Sequence, residues 1–249
     1  MEPQDFAGQV AVVTGAARGL GQALAALLAG RGARVFMVDC DGEGVLLAAD
    51  AVAAQGGRVH AVAADVTSES ALADLRRTIV VEAEGRLDIL VNNAGGWRYG
   101  SLAEITLADW DWTFDVNVKS VFLATRALMT LMIERRYGRI VNIASSDAYR
   151  PKTKLPHYAA AKAAVVSLTK SIAEELAPHN VLVNAVSPGA IATETAKRQG
   201  WLQDRIPLIP VRRAAEPEDI AEVVLFLASP RNRFVVGECV LANGGMLMI

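Results

Sequence analysis

Only two cysteines occur in 249 residues. Cys40 and Cys239 lie far apart, with no histidine or second cysteine nearby at ligand spacing. That pattern excludes a disulfide-stapled scaffold and fits free thiols in a reducing compartment. No metal site is expected. No lysine–arginine run appears, and 25 basic against 27 acidic residues leave a net charge of -2, which argues against a nucleic-acid surface. No apolar run nears the roughly 18 residues of a membrane span. The opening MEPQDFAGQVAVVTG reaches its first strand without a charged-then-apolar leader, so a soluble, cytoplasmic protein is expected. No Pro/Gly/Ser linker or repeat divides the chain. With 52% hydrophobic and 21% charged residues, the whole of 1–249 reads as one α/β domain with a sizeable core.

Short β-branched runs alternate with longer helical patterns. Strands are predicted at Val10–Thr14, Arg34–Asp39, Val59–Ala63, Leu87–Asn92, Gly138–Ile143, Val181–Val186 and Glu238–Leu241. Most are almost purely apolar, as parallel strands covered on both faces must be. Helices are predicted near 19–31, 42–55, 68–84, 106–135, 158–176 and 216–228. This rhythm predicts a Rossmann-type, doubly wound, seven-stranded parallel sheet with helices on both faces. The long irregular segment at about 187–215, carrying Pro188, Gly189, Trp201, Pro207 and Pro210, is expected to act as a lid.

The first strand ends in TGAARGLG, with Gly15, Gly19 and Gly21. Glycine suits a tight turn and lets backbone approach a phosphate without a Cβ in the way. The helix opening there offers free N–H groups to a pyrophosphate, although the glycine spacing is wider than G-x-G-x-x-G. Eighteen residues past Gly21, the second strand ends at Asp39, where an acid can bond the ribose 2′-hydroxyl of NAD and repel the 2′-phosphate of NADP. Arg18 pulls the other way, since it could pair with that phosphate. Asp65 and Val66 end the third strand and either contact adenine or start the next helix. Asn93, Ala94 and Gly95 follow the fourth strand, at the sheet edge where open α/β folds bind ligands.

Tyr158 and Lys162 are four residues apart on a predicted helix, so phenol and ammonium project from one face. A tyrosine normally titrates near about 10; a cation beside it is expected to stabilise the phenolate and make it a general acid–base. Ser145 lies thirteen residues upstream, with Ser146 as an alternative hydroxyl. Asn117 sits in an apolar helix, an odd place for an amide without a partner.

TGAARGLG, NNAG, Asn117, Ser145 and YAAAK in this order, with NAVSPGAIAT and the C-terminal NGG, resemble the short-chain dehydrogenase/reductase family, in its single-domain branch. The resemblance covers essentially the whole chain. It implies that Tyr158 is the acid–base, that Lys162 lowers its pKa and holds the nicotinamide ribose, and that Ser145 bonds the substrate oxygen. It implies that Asn117 holds a water of a proton relay. It also implies that Gly15, Arg18, Gly19, Leu20, Gly21, Asp39, Asp65, Val66, Asn93, Ala94 and Gly95 bind the cofactor with Tyr158 and Lys162. Pro188, Gly189, Ile191 and Thr193 join them near the nicotinamide.

The expected activity is therefore NAD(H)-dependent interconversion of a secondary alcohol and a ketone. The alternative is an NADPH-dependent 3-oxoacyl-thioester reductase, which Asp39 disfavours; a nucleotide sensor without turnover would not need all four catalytic positions. Ser145, Trp97, Tyr149 and Trp201 are the expected substrate contacts, although Trp97 could equally be a core residue. Arg98, Arg150 and Lys152 are expected to point to solvent, which favours a largely uncharged, cyclic or aromatic substrate; one pointing inward would instead suit an acidic or phosphopantetheine-linked substrate. His157 is expected to pack at the surface or against the pocket wall. A homotetramer, paired through the helices near 106–135 and 158–176, is the expected assembly.

Overall fold

The computed structural model describes residues 4–249. Seven parallel strands, β1 (Val10–Thr14), β2 (Arg34–Asp39), β3 (Arg58–Ala63), β4 (Ile89–Asn92), β5 (Gly138–Ile143), β6 (Val181–Pro188) and β7 (Cys239–Ala242), form a single sheet in the order β3-β2-β1-β4-β5-β6-β7. It is the predicted doubly wound fold. Strand order reverses between β1 and β4, which opens a crevice at their carboxyl ends.

The helices are α1 (Gly19–Gly30), α2 (Gly42–Ala53), α3 (Glu69–Glu82), α4 (Leu107–Phe114), α5 (Ser120–Arg135), α6 (Pro156–Leu176), α7 (Glu194–Arg198), α8 (Trp201–Arg205) and α9 (Pro217–Ala228). Strand alternation decides which core each strand residue enters. Ala11 and Val13 of β1 join α1, α2 and α9 on one face, while Val10 and Val12 join α3, α5 and α6 on the other. All five residues of β1 are buried, and each large apolar side chain so covered contributes about 1.5–3 kcal/mol.

Several strand and helix ends shift by one or two residues from the sequence reading, and two segments differ from it in their internal structure. The predicted helix over 106–135 holds a π-helical turn at Asp115–Lys119 between α4 and α5, and Asn117 lies inside that turn, fully buried. Such turns occur where a side chain must be re-aimed. The Leu107–Arg135 run is apolar and long enough to span a membrane by length and composition alone. Half of its most apolar stretch is buried in the fold, as in a core helix. The irregular segment over 187–215 contains α7, α8 and a 3₁₀ turn at Ile206–Leu208, which proline and glycine spacing had masked.

Candidate active site

The glycine turn after β1 has little room for anything larger. Gly15 has φ of 65°, a left-handed conformation that favours glycine. A Cβ on Gly21 would stand 2.0 Å from the Gly15 carbonyl oxygen and 2.6 Å from Asn93 Nδ2. Asn93 straps the turn to the neighbouring strand end: its Nδ2 donates to the carbonyls of Thr14 (2.8 Å) and Gly15 (3.1 Å). In return Thr14 Oγ1 accepts from the N–H groups of Asn93 and Ala94, both at 3.0 Å. The turn is thereby pinned to β4, with the start of α1 facing the crevice.

At the end of β2, both oxygens of Asp39 are committed to backbone. Oδ2 accepts from Ala17 N and Oδ1 from Asp41 N, each at 3.0 Å. Arg18, the cation that could have favoured a phosphate, donates instead to Asp41 Oδ2 at 3.2 Å. Asp65 accepts from Thr67 N and Thr67 Oγ1, both at 2.8 Å, so it stabilises the turn ahead of α3 while lining the crevice.

Asn117 has the partner its burial demands. Its Nδ2 donates to the carbonyls of Gly96 (2.7 Å) and Thr113 (2.9 Å), and its Oδ1 accepts from Gly96 N at 3.3 Å. The amide therefore locks the loop after β4 onto the π turn. A Cβ on Gly95 would lie 2.7 Å from Asn117 Oδ1 and 3.3 Å from Lys162 Nζ, which shows how closely loop, amide and ammonium meet.

Ser145 follows β5 and caps a 3₁₀ turn over Ser146–Tyr149, its Oγ accepting from Asp147 N at 3.1 Å. Pro156 opens α6 at a position where its missing N–H costs nothing, and this puts Tyr158 in the first turn. Lys162, one turn on, is 4% exposed and donates to the Ile143 carbonyl at 2.9 Å. Its Nζ is 5.7 Å from the centre of the Tyr158 ring. Burial pushes Lys162 down to about 8. Burial also pushes the Tyr158 phenol up, with the Asp147 carboxylate adding to the rise and the Ser145 hydroxyl opposing it. Lys162 is expected to oppose that rise by stabilising the phenolate, while its Nζ is held at the Ile143 carbonyl.

Tyr158, Lys162, Ser145 and Asn117 share one cavity of about 580 Å³ with every predicted cofactor position from Gly15 to Thr193. Trp97 and Trp201 also line it, and Trp97 meets the Tyr158 ring edge-on at 5.8 Å. A second cavity of about 430 Å³ adjoins it, sharing Ser145, Tyr158, Trp97, Gly189 and Trp201. Ser146 lines only the second. Tyr149 lines neither; the turn sends it behind the site, toward Ser187 and Cys239, where burial pushes its phenol up to about 12. Arg98 is directed away as expected, pairing with Asp109 at 2.8 Å and stacking 4.4 Å from the Trp112 ring. Arg150 and Lys152 correct the sequence reading, because both line the second cavity and pair with Asp147. Asp147, at the start of the stretch expected to bound the pocket, does line this cavity. His157 is neither at the surface nor on a pocket wall, as had been expected: it is fully buried and lines neither cavity.

A family model described as enoyl-(acyl carrier protein) reductase matches residues 15–247. The chain is 32% identical to a short-chain type dehydrogenase/reductase from Mycobacterium marinum of known crystal structure, with a TM-score of 0.93 and coverage of 99% of this chain and 98% of that one. The protein belongs to the short-chain dehydrogenase/reductase family. Among its curated relatives, this short-chain dehydrogenase/reductase is 40% identical to the (2S)-[(R)-hydroxy(phenyl)methyl]succinyl-CoA dehydrogenase subunit BbsD of Thauera aromatica, over 95% of this chain and 96% of the relative. It is 39% identical to the 3-oxoacyl-[acyl-carrier-protein] reductase FabG of Aquifex aeolicus, over 96% and 97%. It is accordingly an oxidoreductase that uses a nicotinamide cofactor on a small molecule. The residues present fit that cofactor: the glycine cradle that a Cβ would fill, the start of α1 and the Asp39 carboxylate all border one continuous cavity.

Proposed function

We propose that the protein is an NAD(H)-dependent enzyme interconverting a secondary alcohol and a ketone, with Tyr158 as the general acid–base. One observation carries the reading: a single cavity runs from Asp39 at one end to Ser145, Tyr158 and Lys162 at the other. Gly15, Arg18, Gly19, Leu20 and Gly21 would hold the pyrophosphate side, Asp39 the adenosine ribose, Asp65 and Val66 the adenine. Pro188, Gly189, Ile191 and Thr193 would hold the nicotinamide side. When bound, the nicotinamide gives or takes the hydride. Ser145 donates a hydrogen bond to the substrate oxygen, and Tyr158 gives that oxygen its proton or removes it. Lys162 orients the site with Asn117 behind it. Burial favours the protonated Tyr158 hydroxyl, the form that serves ketone reduction. Alcohol oxidation needs the phenolate, so its rate is expected to rise with pH.

The 187–215 segment serves as the lid in this reading, and 1–249 as a single domain. The enzyme is assigned to the cytoplasm. A homotetramer is proposed from the family resemblance, and the exposed Leu107, Trp110 and Phe122 on the α4–α5 run support it.

A 3-oxoacyl-thioester reductase is the second reading, favoured by the name of the Aquifex relative. A panel of aryl and alicyclic secondary alcohols and 3-hydroxyacyl thioesters, followed by NADH absorbance, decides between them. Faster turnover of thioesters, with NADP in place of NAD, would transfer the assignment to the second reading.

A further inference from the structure

The second cavity carries a charge pattern that moving a hydride and a proton does not require. The Asp147 carboxylate is shared between two cations. Arg150 Nε and Nη2 reach Oδ1 at 3.1 and 3.0 Å, and Lys152 Nζ reaches Oδ2 at 3.1 Å. The side chains of Asp147, Arg150 and Lys152 are 13%, 26% and 14% exposed, so this is not a solvated surface cluster. Two cations against one carboxylate leave one positive charge, and the remaining ionisable wall, Lys154 and Arg205 of α8, is also basic apart from Tyr99 and Tyr158.

The donors outnumber the acceptors. A lysine ammonium carries three N–H groups and a guanidinium five; besides Asp147, Arg150 has only the weakly accepting sulfur of Met246, 3.2 Å from Nη1. Lys152 is held below the usual lysine range by burial; the Asp147 carboxylate opposes this, and Arg205 and Arg150 add smaller effects in the same direction as burial. Half-buried donors of this kind gain from an entering oxyanion.

We propose that Arg150 and Lys152 bind a free carboxylate on the substrate, which makes the protein a dehydrogenase of hydroxy acids and reductase of the matching keto acids. The carbinol lies at Ser145 and Tyr158, and the Trp97, Tyr99 and Trp201 rings supply a wall for an aromatic or alicyclic body. A planar carboxylate can engage the guanidinium fork of Arg150 and the Lys152 ammonium together. This rests on the secondary-alcohol reading above and names its substrate class.

Calorimetric titration of the full chain, with and without NAD, tests it with three probes: 3-phenylpropanoate, 3-phenylpropanamide and phenyl phosphate. The acid is expected to bind at least about tenfold tighter than the amide, the scale of one charge-assisted contact, and tighter than the phosphate ester. Arg150→Met and Lys152→Met should each narrow the acid-to-amide ratio to less than about threefold. Equal binding of acid and amide, no acid binding at millimolar concentration, or an unchanged ratio in both variants overturns the proposal. Preference for phenyl phosphate assigns the cluster to a phosphate-bearing substrate and overturns it too. Turnover enters none of these measurements, so selective acid binding by a protein that oxidises no alcohol would break the secondary-alcohol reading and leave only the carboxylate site standing.

Discussion

The two ends of the crevice are built from different materials. At the nucleotide end, backbone carries the geometry: a glycine turn with a left-handed φ, strand-end carbonyls strapped by Asn93, and an Asp39 carboxylate fixed by two N–H groups. At the substrate end, long side chains carry it, with Arg150 and Lys152 folded onto Asp147 from a 3₁₀ turn and the loop after it. Backbone geometry constrains which residue types can stand at a position. Long side chains leave the choice to packing, so the same turn can serve many substrates. The difference explains why the reaction class could be read early and the substrate could not.

The comparison breaks most sharply at Tyr158, where the two ends meet. Tyr158→Phe is expected to lower kcat by about 10²–10⁴-fold while NAD affinity, measured by fluorescence titration, changes less than about threefold. Retention of near-normal turnover would remove Tyr158 from the chemistry. Gly21→Ala probes the backbone-built end. Its Cβ would collide with the Gly15 carbonyl at 2.0 Å, so NAD affinity should fall at least about tenfold and stability by about 1–3 kcal/mol. An unaltered melting temperature and NAD affinity would show that the turn yields.

Lys162 gives a smaller effect of opposite sign. Its pKa drops from an ordinary 10.5 to about 8 in the fold. Below about pH 8 the ammonium is charged in both folded and unfolded chains, and its full burial cost is carried. Between about pH 8 and 10.5 the folded chain sheds the proton while the unfolded chain keeps it, so this group's contribution to stability rises with pH. Lys162→Met should therefore raise stability at pH 7 by about 1–3 kcal/mol, after allowing for the lost bond to Ile143, while turnover collapses. A lowered Tm for the variant would show that the ammonium stabilises the fold.

Much of the fold was legible because its signals are local. β1, β2 and β5 match their apolar runs residue for residue, since strands buried on both faces admit few other residues. Gly15, Gly21 and Asp39 were legible for the same reason. Asn117 was noticed as a misplaced amide, but the π turn that satisfies it was not, because no side-chain period marks one inserted residue. Tyr149, Arg150 and Lys152 were misplaced because a 3₁₀ turn has no face that spacing can assign, and because basic loop residues are usually solvated. Sequence spacing shows that a cation is near Tyr158, yet not how much water the phenol has lost, which acts in the opposite direction.

The central claim is that the backbone-built end also selects the cofactor, through Asp39 with Arg18 drawn onto Asp41. Its most direct test is kcat/KM for NAD and NADP on the wild-type enzyme with one secondary alcohol. NAD should be preferred at least about tenfold, the scale of one repelled or accepted charge. A preference for NADP would contradict the account, because it would require Arg18 to leave Asp41 and outweigh Asp39.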